Sequence, residues 1–251
     1  MARITTAFGE ASPPEIDPEE VAAFFEDRAR RMNDVGPMRA VIYQDKQGDL
    51  AERRDAAEVA RLLPLLRLDG RQALLDIGCG TGRWSRRLVP LLARYHGVDA
   101  SGGLLAYARQ QHRDDPHCRF THLQAEQLSA EALGEASFDR VLCAGICIYL
   151  NDPQLSELFS ALADITGPGA LILLREPVAN RSRLTLKEHF STELEHDYHA
   201  IYRSVPELMA LLQPTLLDAG FRVVGEGDVY EQDDLNNRAE TRQCWFVLER
   251  T

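Results

Sequence analysis

The stretch Asp76-Ile77-Gly78-Cys79-Gly80-Thr81-Gly82 gathers residue types that can do chemistry at close spacing. Glycine takes backbone angles closed to other residues and has no Cβ to hold a ligand away. Three alternate glycines directly after the apolar run Leu74-Leu75-Asp76-Ile77 read as a tight turn between a buried strand and a helix starting near Arg83. A ligand can lie against such a turn, beside the positive end of the helix. The spacing is G-x-G-x-G. Pyrophosphate-binding turns use G-x-G-x-x-G, and here the arginine Arg83 stands where their third glycine falls. Asp99 closes the next apolar run, about 20 residues past the first glycine, where a neighbouring strand tip offers its carboxylate to a pair of hydroxyls.

The strand, its acid and the G-x-G-x-G turn resemble motif I of the class I S-adenosylmethionine-dependent methyltransferases. The resemblance covers about residues 70 to 250 and implies S-adenosyl-L-methionine as cofactor. It places loop backbone at Gly78 and Gly80 on the methionine part and Asp76 on its ammonium. Asp99 and Ala100 become contacts at the second strand tip, with Asp99 on the ribose hydroxyls. The family usually carries an acid at position 124; Gln124 departs from this, though its side-chain oxygen still accepts a hydrogen bond. The Ala125 N–H would serve the adenine ring, with either Gln124 or Glu126 at its amino group. Backbone near Cys143 would close over the methionine chain, and Tyr149 would face the acceptor. The segment before motif I often covers the cofactor in this family, which makes Tyr43 an acceptor contact.

A sulfonium methyl is already electrophilic, so the protein must chiefly align a nucleophile and exclude water. The sequence after the fourth strand, Ala144-Gly145-Ile146-Cys147, lacks the Asn/Asp-Pro-Pro-aromatic run of the DNA amino-methylating enzymes, and no Pro-Cys pair is present. Asp152 alone is thin support for a metal-dependent catechol site. The expectation is a metal-independent enzyme acting on N or O of a small molecule, plausibly tailoring a natural product. A peptide or protein methyltransferase and a non-catalytic S-adenosylmethionine-binding protein are the other readings. Residues 175–203 break the strand–helix rhythm and are rich in His and Tyr, which marks an acceptor lid. On a helix over 186–202, His189, His196 and His199 would share a face, with Tyr198 and Tyr202 as an i, i+4 pair. His199 or His196 is the expected base; Tyr198, Tyr202 and Glu176 are expected acceptor contacts.

These residues need a scaffold. Strand patterns at about 72–77, 97–99, 118–123, 138–143 and 170–174 alternate with helical ones, and 221–224 with 243–248 form a closing hairpin. The fold class is α/β: a doubly wound, seven-stranded, mostly parallel, Rossmann-like sheet. Residues 1–69 are expected to form a mobile tail and a helical cap, and 70–251 the cofactor-binding domain. At 251 residues and 45% hydrophobic, the chain can bury a real core. The formal charge of −11 disfavours nucleic acid. No apolar run approaches the ~20 residues of a membrane span, and the five scattered cysteines read as reduced thiols. A cytoplasmic monomer or homodimer with no metal and no membrane partner is the expectation.

Overall fold

The computed structural model describes residues 2–10, 12–42, 49–135, 137–191, 196–236 and 238–251, without the side chains of 191, 196 and 233. Among the described residues ten strands form two sheets: β1 (Ala2–Thr6), β2 (Ala73–Ile77), β3 (Arg94–Asp99), β4 (Cys118–His122), β5 (Phe138–Ala144), β6 (Thr166–Ala179), β7 (Arg183–Ser191), β8 (His196–Tyr202), β9 (Phe221–Asp228) and β10 (Thr241–Arg250).

The large sheet has the order β4-β3-β2-β5-β6-β10-β9. Strands β2 to β6 run parallel, and β10 lies antiparallel between β6 and β9. This is the expected doubly wound sheet with its closing hairpin. Strand β2 lies in its interior, between β3 and β5, and is buried at all five positions, as a parallel strand covered on both faces must be. The order reverses between β3 and β5, on either side of β2, so the turn after β2 opens at a topological switch point. One face packs Leu75, Val141, Phe159, Ile172 and Phe246 into the main core. The other packs Leu62, Leu74, Tyr95 and Leu142.

Local caps match the sequence at several points. Asp17 accepts from Glu19 N at 2.9 Å ahead of the helix Pro18–Arg30. Ser101 accepts from Leu104 N, and Ser204 with Glu207 forms a capping box. The cap ahead of Asp152-Pro153 is Asn151, whose capping-box partner is Gln154. The helix after the glycine turn is short. It covers only Ser85–Leu88, because Pro90 tightens the next turn into Val89–Leu91.

Two expectations are corrected. The N-terminus is not a free tail, since β1 pairs antiparallel with β7, Ala2 opposite Lys187 and Thr6 opposite Arg183. The lid is not a helix either. Strand β6 runs on to Ala179, and β7 and β8 form an antiparallel pair, so β1, β7 and β8 make a separate three-stranded sheet. Leu184, Leu186, Tyr198, Ala200 and Tyr202 form one face, packed on Phe24 and Tyr149. Thr185, His199 and Ile201 on the opposite face are buried as well. Leu184-Thr185-Leu186 alternates, but the register shifts between Leu186 and His189 and the other buried face mixes polar and apolar residues, so the strand pattern in the sequence is short.

Candidate active site

The glycine turn is held by its neighbours' backbones. Gly78, Gly80 and Gly82 have φ of +71°, +54° and +75°, the region other residues avoid. The N–H groups of Gly78 and Cys79 both donate to Val98 O, at 2.9 and 3.0 Å, which pins the turn to β3. A Cβ at Gly78 would stand 2.0 Å from Ile146 Cγ2 and one at Gly80 2.8 Å from Val41 Cγ1. The room taken is therefore that of neighbouring side chains close against the turn.

Asp99 ties the tips of β2 and β3 together: one oxygen accepts from Gly80 N at 2.7 Å and the other from Ser101 N at 2.8 Å. Each oxygen keeps a further acceptor site. Asp76 is 1% exposed and accepts from Tyr95 Oη at 2.5 Å. Burial pushes its carboxyl up to about 7, against the pull of the Tyr95 hydrogen bond.

These groups line one cleft at the carboxyl ends of the parallel strands. Asp76, Gly78, Gly80, Asp99, Ala100, Gln124 and Ala125 all reach it, as does Glu126, which accepts from Gln154 Nε2 at 2.8 Å. Cys143 does not. It is fully buried in the core, 3.8 Å from Cys147 Sγ, because alternation along β5 turns it inward. Ala144, Gly145 and Ile146 form that wall instead.

Glu176 is not an acceptor contact. It is 2% exposed, and Oε1 accepts from three consecutive N–H groups, Gly145 at 3.1, Ile146 at 3.1 and Cys147 at 3.2 Å. It thus holds the loop that walls the cleft. Burial pushes its carboxyl up to about 7 despite these donors. Cys143, Cys147 and Glu176 bring two sulfurs and an oxygen within 4.8 Å of one another. A hydrogen bond to Cys143 and burial push the Cys147 thiol well up, and the Glu176 oxygen is engaged by the loop, so the donor set does not suit a metal.

A second, smaller chamber adjoins the cleft, with Val41, Arg83, Ala144, Gly145 and Tyr149 shared between the two. Tyr149 Oη lies 3.0 Å from Tyr198 Oη, which lies 3.4 Å from Tyr202 Oη. Arg238 donates to Tyr202 Oη at 2.9 Å. Phe25 meets Tyr149 edge-on at 4.9 Å, so the helix Pro18–Arg30 roofs the junction. The structure therefore brings together Tyr149, Tyr198 and Tyr202, all expected on the acceptor side. His199 lies on the other face of β8, lines neither cavity, and is 5% exposed; it is not placed to serve as the base. Tyr43 and the His196 side chain fall outside the described residues.

The helix Leu50–Leu62 carries a part of the site that sequence reasoning missed. Its buried stripe is Ala51, Arg54, Asp55, Glu58 and Leu62. Arg83 donates to Asp55 at 2.8 Å and to Glu58 at 2.5 Å; Arg87 also reaches Asp55, and Arg175 meets Glu58 at 2.6 Å. Burial alone would raise Glu58, but Arg175 and Arg83 overcome it and hold the carboxyl below its ordinary value. A signal existed: Arg83, beside a glycine turn, needs an acid when buried, and Asp55 and Glu58 share a helical face.

A switch-point cleft with an alternate-glycine turn, an acid in its strand and a second acid at the next strand tip defines a nucleoside-binding α/β fold of the methyl-transferring kind. Residues 74–169 match the family model described as a methyltransferase domain, which agrees with the resemblance to the S-adenosylmethionine-dependent methyltransferases. A ubiquinone biosynthesis O-methyltransferase of Ruegeria pomeroyi is 34% identical over 167 residues, 64% of this chain and 64% of that protein. The chain thus spans less than two thirds of that relative's length. Among solved structures, phosphoethanolamine N-methyltransferase 1 of Haemonchus contortus superposes with a TM-score of 0.71 at 18% identity, over 93% of this chain and 50% of that one. The [4+2]-cyclase SpnF superposes with 0.68 at 16% identity, over 95% and 97%. At such identities these two likenesses speak for the fold alone.

Proposed function

We propose that this chain transfers the methyl group of S-adenosylmethionine to an oxygen or nitrogen of a small molecule, without a metal, in the tailoring of a natural product. The observation that carries the reading is the small chamber opening off the cleft at Tyr149. The cofactor, when bound, supplies an electrophilic methyl on a positive sulfur. Asp76 would hold its ammonium, the free acceptor sites of Asp99 its ribose, and the Ala125 backbone with Gln124 or Glu126 its adenine. The loop 145–147, held by Glu176, walls the methionine side and keeps water out. The tyrosine hydroxyls at the junction would orient the acceptor; its nucleophilic atom would take the methyl as the S–CH3 bond breaks, leaving S-adenosylhomocysteine, and its proton would pass to solvent when the product leaves. Asp152 supports the metal-free reading, since its carboxylate is engaged by Arg183 and Arg203. The O-methyltransferase relative and the N-methyltransferase neighbour leave both atoms in play.

The protein is incubated with methyl-tritiated S-adenosylmethionine and cell extract, and the products are separated by size. Label in the small-molecule fraction is the expected result. Label in the polypeptide fraction would favour a peptide or protein acceptor, and no label in any fraction would overturn methyl transfer.

A further inference from the structure

The chamber beyond Tyr149 differs in sign from the rest of the molecule. The chain carries a formal charge of −11, yet three guanidinium groups, Arg54, Arg83 and Arg175, and one carboxylate, Glu58, line this chamber. Arg83 is engaged by Asp55 and Glu58. Arg175 uses Nη2 on Glu58 and, at 3.3 Å, on Tyr230 Oη, while its Nε is buried with no hydrogen-bond partner among the described residues. Gln243 on β10 lines the same chamber. It is 3% exposed, and its Oε1 is likewise buried and unpartnered. Arg175 and Gln243 thus bring a buried, unpartnered donor and a buried, unpartnered acceptor to the wall of one chamber, and each carries a desolvation cost until something pairs it.

We infer that the acceptor molecule carries an anionic oxygen, carboxylate or phenolate, that docks on Arg175, with a neighbouring hydroxyl donating to Gln243. This rests on reading the chamber as the acceptor site. An ammonium is the alternative that a tyrosine-lined chamber would ordinarily invite. Here Arg238 already stacks over Tyr198 and Tyr202, at 5.9 and 5.6 Å, and the wall guanidiniums repel a second cation. Size sets the pose. The chamber holds about 100 Å³, less than the ~150 Å³ cavity that accepts a benzene ring. It therefore takes the anionic end, and the remainder of the acceptor lies at the junction beside Tyr149, within reach of the cleft.

The test titrates benzoate, salicylate, 4-nitrophenolate and benzylamine calorimetrically into the protein saturated with S-adenosylhomocysteine. Benzoate or 4-nitrophenolate is expected to bind at least about tenfold tighter than benzylamine, the scale of one charge-assisted hydrogen bond; whichever of the two leads identifies the anion as carboxylate or phenolate. Arg175→Gln, which leaves Glu58 paired with Arg83, should abolish that preference while S-adenosylhomocysteine affinity stays within about threefold. Gln243→Leu should remove the advantage of salicylate over benzoate, and decides the matter if Arg175→Gln does not fold. Benzylamine binding as well as the anions, or an anion preference unchanged in both variants, overturns the inference. Failure of S-adenosylhomocysteine itself to bind instead overturns the methyltransferase reading beneath it.

Discussion

Each oxygen of Asp99 takes one backbone N–H, from Gly80 and from Ser101, and keeps a further acceptor site. Removing the carboxylate should weaken S-adenosylhomocysteine by about 1.5–3 kcal/mol, the size of hydrogen bonds to a charged group. Calorimetry on folded Asp99→Ala checks this, and unchanged affinity would remove Asp99 from the ribose. Asp76 gives a pH signature. Burial raises its carboxyl to about 7, so below that pH the folded protein holds a proton there. The cofactor ammonium favours the carboxylate, so binding expels this proton. Affinity should rise with pH to near 7 and then level off, and Asp76→Asn should flatten the profile. Stability of the free protein has the opposite sign. A raised acid stabilises fully below its unfolded value, and the contribution is lost as pH rises through about 7. Glu176, also raised to about 7, adds in the same direction. The thermal midpoint should therefore fall between about pH 4 and pH 7 from these two groups, and a midpoint that rises across that window would contradict their assignment. At this scale the cofactor side was legible, because Asp76, the glycines and Asp99 lie on one local β-α-β unit. Cys143 was misplaced by one residue, which in a strand means the opposite face.

The element that sequence reasoning misjudged is the three-stranded sheet. Its strand β1 comes from the other end of the chain, and the alternation in its strands is short, so neither periodicity nor a local hairpin turn announces it. Ion pairs add to the packing of its apolar face. Arg183 of β7 and Arg203 just after β8, 3% and 4% exposed at their side chains, both meet Asp152 at the start of the helix Asp152–Asp164. Arg203 also donates to Cys147 O and Leu150 O, at 2.7 Å each. These two arginines outweigh the effect of burial and hold the Asp152 carboxyl low. Asp152→Asn leaves two buried guanidinium groups short of a counter-charge and should cost about 3 kcal/mol in denaturant unfolding. Loosening this sheet should also lower turnover with the acceptor more than affinity for S-adenosylhomocysteine. A variant as stable as the parent would show that the sheet is held by packing alone. The helix Leu50–Leu62 teaches a related lesson: its apolar positions were legible, but the stripe turned inward is charged, because Arg83 and Arg175 wait there for partners.

Across the whole molecule, the large sheet was legible because each parallel strand is followed by its own crossover within a short stretch, and the closing hairpin is local. What folds over it, β1, the roofing helix Pro18–Arg30 and the ionic helix Leu50–Leu62, is joined to the sheet by contacts between distant parts of the chain, which a single sequence does not display. Among the described residues no helix is long and apolar enough to cross a membrane. The switch-point cleft is the site proposed for the nucleoside of S-adenosylmethionine. The most direct measurement is a calorimetric titration of the intact chain with S-adenosylhomocysteine, run beside NADH. Saturable one-to-one binding of S-adenosylhomocysteine, absent with NADH and weakened about tenfold or more in Asp99→Ala, is the predicted result; no binding of S-adenosylhomocysteine, or its displacement by NADH, would contradict it.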